Sequence, residues 1–179
     1  MHISSKKAEE SAILNLAYSV CAAARTAPKA RGVDCLETAV LTGEEKNSVA
    51  AEMRKMGEKI GGRGAFFCRD ADNVDASGAV VLVGAKCEAR GLGDMCRLCG
   101  FENCSACEES GAVCVYASVD LGIAIGSAVS LAADNRVDNR VMFTIGQAAA
   151  SLGLLGEYKL IMGIPLSVSG KSVFFDRTR

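Results

Sequence analysis

Residues 96–107 read CRLCGFENCSAC, so Cys96, Cys99, Cys104 and Cys107 fall within one short stretch. No other feature restricts the fold as much. Thiols this close in sequence cannot be distributed through a core. They share one loop, and that loop is held by a metal group, by disulfides, or by neither. The flanking sequence agrees with a loop. From Lys86 to Gly111 the apolar residues follow neither the period of a strand nor that of a helix, and a patternless stretch of this length inside a compact fold is usually functional. The scaffold must deliver a buried element before this stretch and resume order after it.

Such elements are legible on both sides. Ala79 to Ala85, AVVLVGA, is a continuous β-branched run and predicts a strand buried on both faces. At the N-terminal end, Ile13, Leu16, Ala17, Val20, Cys21 and Ala24 recur at helical spacing over residues 8–25, and Pro28 marks the break after them. Cys35 to Gly43 predicts a short strand. Thr42 then stands three residues before Glu45, the spacing of a capping box, and predicts a helix to about Ile60, where Gly61–Gly64 stops it. AFFC, residues 65–68, reads as a short strand, and RDADNVDASG, residues 69–78, as turns. Beyond the loop, Asp120 is expected to open a helix to Ala133, with Gly122 and Gly126 leaving one face bare for close packing. A helix over Arg140–Leu152 carries Met142, Ile145, Ala149 and Leu152 on one side. YKLIMGIPL and KSVFFD read as closing strands, the first placed at an edge by Pro165. The fold class expected is α+β, with 1–179 a single domain and 86–111 a cysteine-rich insertion loop.

Composition excludes several functions. The 179 residues carry 20 Lys and Arg against 21 Asp and Glu, a formal net charge of −1, so no basic excess recruits nucleic acid. The longest apolar run, Leu121 to Ala133, falls short of the ~20 residues that cross a bilayer, so no membrane partner is expected. No apolar core region follows MHISSKKAEES, so a secretory leader is not expected and the cytoplasm is the compartment assigned. In that reducing setting clustered cysteines are metal ligands or catalytic thiols more often than disulfides.

The loop spacing is C-x2-C-x4-C-x2-C. Each C-x2-C pair lets a tight turn aim two sulfurs at one centre, and Gly100 relaxes the backbone after the second. Four thiolates suit a structural zinc ion, but zinc sites usually separate their pairs by a dozen residues or more. An iron–sulfur cluster, with corners farther apart, suits the short separation better. Cys99, Cys104 and Cys107 also match the C-x4-C-x2-C spacing of plant-type ferredoxins, with Cys96 the near fourth ligand and Cys87 and Cys114 in reserve. The metal ligands expected are therefore Cys96, Cys99, Cys104 and Cys107, holding an iron–sulfur cluster of the 4Fe–4S type, with zinc as the alternative. Cys21 and Cys35 lie in apolar surroundings and read as buried small residues, and Cys68 has no assignment. His2, the lone histidine, is terminal, which argues against a Ser-His or Cys-His nucleophile. SGK at residues 169–171 lacks the upstream glycine of a phosphate loop and reads as a turn.

The cysteine loop, DLGIAIGSAVSLAA at 120–133 and GIPLSVSGKSVFFDR at 163–177 together resemble a microbial family of uncharacterised proteins containing a ferredoxin domain. The resemblance covers nearly the whole chain and implies an iron–sulfur role. AARTAPKARGVDCLETAVLT, from Ala23, also resembles the helix-to-strand passage of flavin-dependent nitroreductases. Ala27 and Pro28 match. Lys29 stands at a serine position, Gly32 at an asparagine position, and no arginine-rich segment precedes residue 10. This second resemblance implies a nitroreductase-like sheet with helices, and a homodimer. If FMN binds, Arg25, Lys29 and Arg31 are its expected phosphate contacts, the other reading being a solvated basic turn. An electron-transfer function with an unidentified redox partner is the expectation, and a zinc-stabilised interaction module or a flavin-dependent reductase are its alternatives.

Overall fold

The strand Ala79–Ala85 (β2) is buried at every residue because helices cover both faces of the sheet it occupies. The computed structural model describes residues 2–175. Its sheet contains β1 (Leu36–Leu41), β2, β3 (Asp138–Asn139) and β4 (Leu160–Ser167) in the order β1-β2-β4-β3, with every pairing antiparallel. The β2 side chains alternate between two cores. Val81 and Val83, with Ile164 and Leu166 of β4, pack with α1 (Ser5–Thr26) and α5 (Val115–Asp134). Val80 and Leu82, with Ile161, pack with α2 (Gly43–Ile60), α3 (Ala65–Asp75) and α6 (Phe143–Ser151). Each such Val or Leu removed from water contributes about 1.5–3 kcal/mol.

Local sequence explains most element ends. Ser4 caps α1, its hydroxyl accepting from the Lys7 amide at 3.4 Å, and Ile13, Leu16, Ala17, Val20 and Ala24 form the buried stripe. The helix stops before Pro28, which disfavours helical geometry at Ala27. Thr42 is the N-cap of α2, but its hydroxyl makes no capping bond, so the expected capping box is not formed. Glu44 and Glu45 in the first turn supply the favourable charge instead. Gly61, at φ +76°, closes that helix.

Several expectations are corrected. Residues 65–75 form α3, not a strand and turns. Phe67, Asp70, Ala71 and Val74 make its buried face, and the stripe is hidden in the sequence because one of its members is a carboxylate. Asp70 is accommodated by the Thr144 hydroxyl at 3.0 Å and by Arg69 at 2.8 Å. Lys171–Phe175 is a turn and not a strand, and Asp176 lies outside the described residues. The final helix is shorter than expected. Met142 precedes it, exchanging backbone bonds of 2.8 and 3.0 Å with Gly163, and Leu152 is exposed. β4 is an inner strand despite Pro165. The Leu166 carbonyl accepts from Gly78 on the β2 side, while Gly163 bonds Met142 on the other. Alternation therefore turns the proline nitrogen away from β2, into the interval where β3 pairing has stopped at Leu166.

α5 begins at Val115, five residues before Asp120, and reaches a length and composition sufficient to cross a bilayer. In this fold it packs beside α1, with Ala124, Ala128 and Ala132 completely buried and the Ser127 hydroxyl donating to the Ala23 carbonyl at 2.9 Å. The alanines, not the glycines, make the close approach. A methyl group added at Gly122 or Gly126 meets open space.

The tightest crossing is at Gly146 of α6, where a methyl group would collide with the Ile161 carbonyl of β4. Gly146→Ala should lower Tm by roughly 3–10 °C, the overpacking cost for a chain of this size. Gly122→Ala, helical and unobstructed, should leave Tm unchanged or raise it. Calorimetry of the two variants checks both.

Candidate metal centre

β2 ends at Ala85 and the chain enters the cysteine segment with its root clamped. Arg90 and Asp120 form an ion pair of 3.0 Å, their side chains 3 % and 1 % exposed. Both partners make further hydrogen bonds. Arg90 also donates to the carbonyls of Glu88 (2.6 Å) and Lys86 (3.1 Å). Asp120 accepts from the Ala30 amide at 2.8 Å and the Cys35 thiol at 3.5 Å. Thus α5, the α1–β1 connection and the exit of β2 meet at one carboxylate. Arg31 adds a second tie, donating to the carbonyls of Arg90 (3.1 Å) and Gly91 (3.0 Å). Position 91 favours glycine through its φ of +66°, and a Cβ there would displace the Arg31 guanidinium, whose Nη1 would lie 2.5 Å away.

Past this root the segment is mostly irregular, with a 3-10 turn at Gly93–Met95 and one short helix, α4 (Cys104–Glu109). The sequence does not betray α4 because six residues are too few to show a period. Asn103 caps it, accepting from Ala106 N at 2.9 Å, and this sets Cys104 and Cys107 one turn apart on a fixed frame. The first C-x2-C pair is shaped by left-handed residues. Arg97 has φ +48°, Gly100 has φ +83°, and the Gly100 amide returns to the Arg97 carbonyl at 3.0 Å. The glycine accepts its conformation freely, whereas Arg97 is the strained member.

Cys96, Cys99, Cys104 and Cys107 line one pocket, and Cys114 joins them from the N-cap of α5. Leu92, Leu98, Phe101, Val115 and Tyr116 complete most of its wall with Arg90 and Arg97, and no carboxylate or imidazole lines it. Cys107 is the most buried of the five, at 1 % exposure. Burial pushes its thiol up, and the neighbouring Cys99, Cys114 and Cys104 thiols act in the same direction. The thiols surround the pocket without converging. Among the described residues no group of three or more His, Cys, Asp or Glu side chains stands close enough to hold a single metal ion. The room between them is about 20 Å³, little more than one water. Five thiols with no carboxylate or imidazole among them make a donor set that selects soft metals.

The other cysteines have separate places. Cys35 is in the core against Asp120, its thiol raised by burial. Cys21 sits at the margin of the same core, also raised by burial. Cys68 of α3 faces Gly57 of α2. Cys87 does not line the pocket, but its carbonyl accepts from the Cys114 amide at 3.3 Å.

The three basic residues expected at a flavin phosphate are all engaged by their own chain. Arg25 bridges Asp34 (2.8 Å) and Glu37 (3.0 Å) and also reaches the Leu36 carbonyl. Burial opposes the Asp34 carboxylate, but the hydrogen bonds from Arg25 and the Leu36 amide, with the Arg25 and Lys29 charges, together hold that carboxyl below its ordinary range. Lys29, its side chain 7 % exposed, donates to the carbonyls of Arg25 and Ala27. Arg31 alone lines a second pocket, of about 260 Å³, with Cys35, Lys86 and Arg90 on its wall. Sequence reasoning missed the Arg90–Asp120 clamp. The available signal was an aspartate inside an otherwise apolar helix, which needs a buried partner.

A family model described as "Uncharacterized protein containing a ferredoxin domain (DUF2148)" matches residues 110–177. That span holds Cys114 and none of the other eight cysteines. An uncharacterized protein of Archaeoglobus fulgidus is 43% identical over 162 residues, covering 86% of this chain and 85% of its own. The fold is similar to that of a nitroreductase with bound FMN from Desulfitobacterium hafniense (TM-score 0.59, 14% identity, 96% of this chain and 81% of that one). It is also similar to the nitroreductase CinD of Lactococcus lactis (TM-score 0.56, 15% identity, 91% and 84%). At these identities the likeness shows the nitroreductase-like fold and nothing finer.

Removing one partner of the clamp leaves a buried, uncompensated charge. Asp120→Ala should cost about 3–5 kcal/mol in urea unfolding. The double variant Asp120→Leu/Arg90→Met should be more stable than Asp120→Ala, because it buries no charge.

Proposed function

The chain belongs to the family of uncharacterized proteins containing a ferredoxin domain, and from that premise we propose that it is an iron–sulfur redox protein on a nitroreductase-like scaffold. The observation that carries this reading is the composition of the thiol pocket: cysteines from both C-x2-C pairs line it, with no carboxylate or imidazole donor. Thiolates are the usual ligands of iron–sulfur clusters, and Arg90 and Arg97 in the wall offset part of the negative charge such a group carries. When bound, the cluster supplies one-electron transfer. Donor chemistry therefore fits the group. Space is provided only as the Cys96–Cys104 turns give way, since the cavity is near the size of a water. The clamp at Arg90 holds the root of the segment while the turns adjust.

Zinc is the weaker reading. Zinc sites usually separate their thiol pairs by about a dozen residues or more, whereas Cys99 and Cys104 bracket only a short stretch. A flavin reductase draws support from the fold. Against it stand the engagement of Arg25, Lys29 and Arg31, and a second pocket of about 260 Å³, below the ~300–1,000 Å³ of most small-molecule sites. The reading also carries a cytoplasmic location, a protein electron partner and a homodimer as parts of the same proposal.

Protein purified without oxygen should contain about four iron and four labile sulfide per chain, the stoichiometry of one 4Fe–4S cluster. It should show broad visible absorbance that bleaches on reduction. One equivalent of zinc without sulfide, or stoichiometric FMN without iron, overturns the reading.

A further inference from the structure

Five thiols line a pocket in which a cluster uses four, so the ligand set is not settled by the two C-x2-C pairs. We propose that Cys114 is a cluster ligand and that Cys96 is the thiol left over; the inference rests on the iron–sulfur reading above.

Two observations carry it. Cys114 is 8 % exposed, lines the pocket from its protein side, and its sulfur makes no hydrogen bond among the described residues. A buried thiol facing other thiols, with no hydrogen-bond acceptor among the described residues, is poorly placed as a structural group and well placed as a ligand. Second, Cys114 is the N-cap of the 20-residue helix α5. The same helix carries Asp120 of the clamp, and the Cys114 amide is fixed to the Cys87 carbonyl. Its position is thus set by the scaffold. Cys96 is half-buried beside the strained Arg97 turn, next to Met95, which is 85 % exposed. The resulting set, Cys99, Cys104, Cys107 and Cys114, has the spacing C-x4-C-x2-C-x6-C, with its fourth ligand downstream.

The test uses the full chain, reconstituted without oxygen with ferrous iron and sulfide under reductant. Iron and sulfide are counted, and the reduced sample is examined by electron paramagnetic resonance. Cys96→Ser should keep at least four-fifths of the wild-type iron and an unchanged spectrum. Cys114→Ser should lose more than half the iron or give a shifted spectrum, with its helical circular dichroism retained. Loss of the cluster from Cys96→Ser overturns the proposal whatever the second variant does, and so does an unaltered cluster in Cys114→Ser. Failure of the wild-type chain to take up iron and sulfide overturns instead the reading on which the proposal rests.

Discussion

One buried ion pair organises the part of this molecule that bears chemistry. Arg90 and Asp120 meet in the interior at 3.0 Å, where each charge alone would be costly, and each is offset by the other and by further hydrogen bonds. Through Asp120 the pair reaches the α1–β1 connection at Ala30 and Cys35. Through Arg90 it reaches the carbonyls of Lys86 and Glu88 in the segment leaving β2. The sheet and its two cores would form without it. The orientation of the cysteine segment would not, because that segment has few apolar residues to bury and little backbone pairing of its own.

This division explains what could be read in the sequence. β2 and α1 were plain, since their apolar residues all serve packing and so keep their period. The thiol spacing was plain as well. What stayed hidden were elements whose buried positions hold polar groups. α3 carries Asp70 on its buried face, satisfied by Thr144 from a distant helix, and nothing local announces the pairing. α5 begins before Asp120 because that aspartate is a buried anchor and not a cap. Cys114 stood apart from the loop in sequence by only a few residues, yet its membership of the pocket depends on where α5 starts. The basic residues after α1 were legible as a cluster of charge. Their partners were not, because Arg25 meets Asp34 and Glu37 only once the chain has turned into β1.

The nitroreductase-like fold and the thiol pocket are distinct layers of the structure. The scaffold is an antiparallel sheet covered on both faces, and it tolerates the cysteine segment because that segment leaves from the end of β2 and returns at the start of α5, outside both cores. Arg31 and Arg90 stand on the boundary: both line the second pocket, and Arg90 also lines the thiol pocket.

The seam between Arg31 and Gly91 limits how such a chain can vary. A side chain at 91 would strike the guanidinium and adopt a left-handed backbone at the same time. Replacing Arg31 alone would leave the Arg90 and Gly91 carbonyls without their donor. Neither position can drift by itself at little cost. In descent from a common ancestor the two would be exchanged as a pair or kept as a pair, and the entrance of the cysteine segment would be inherited with them.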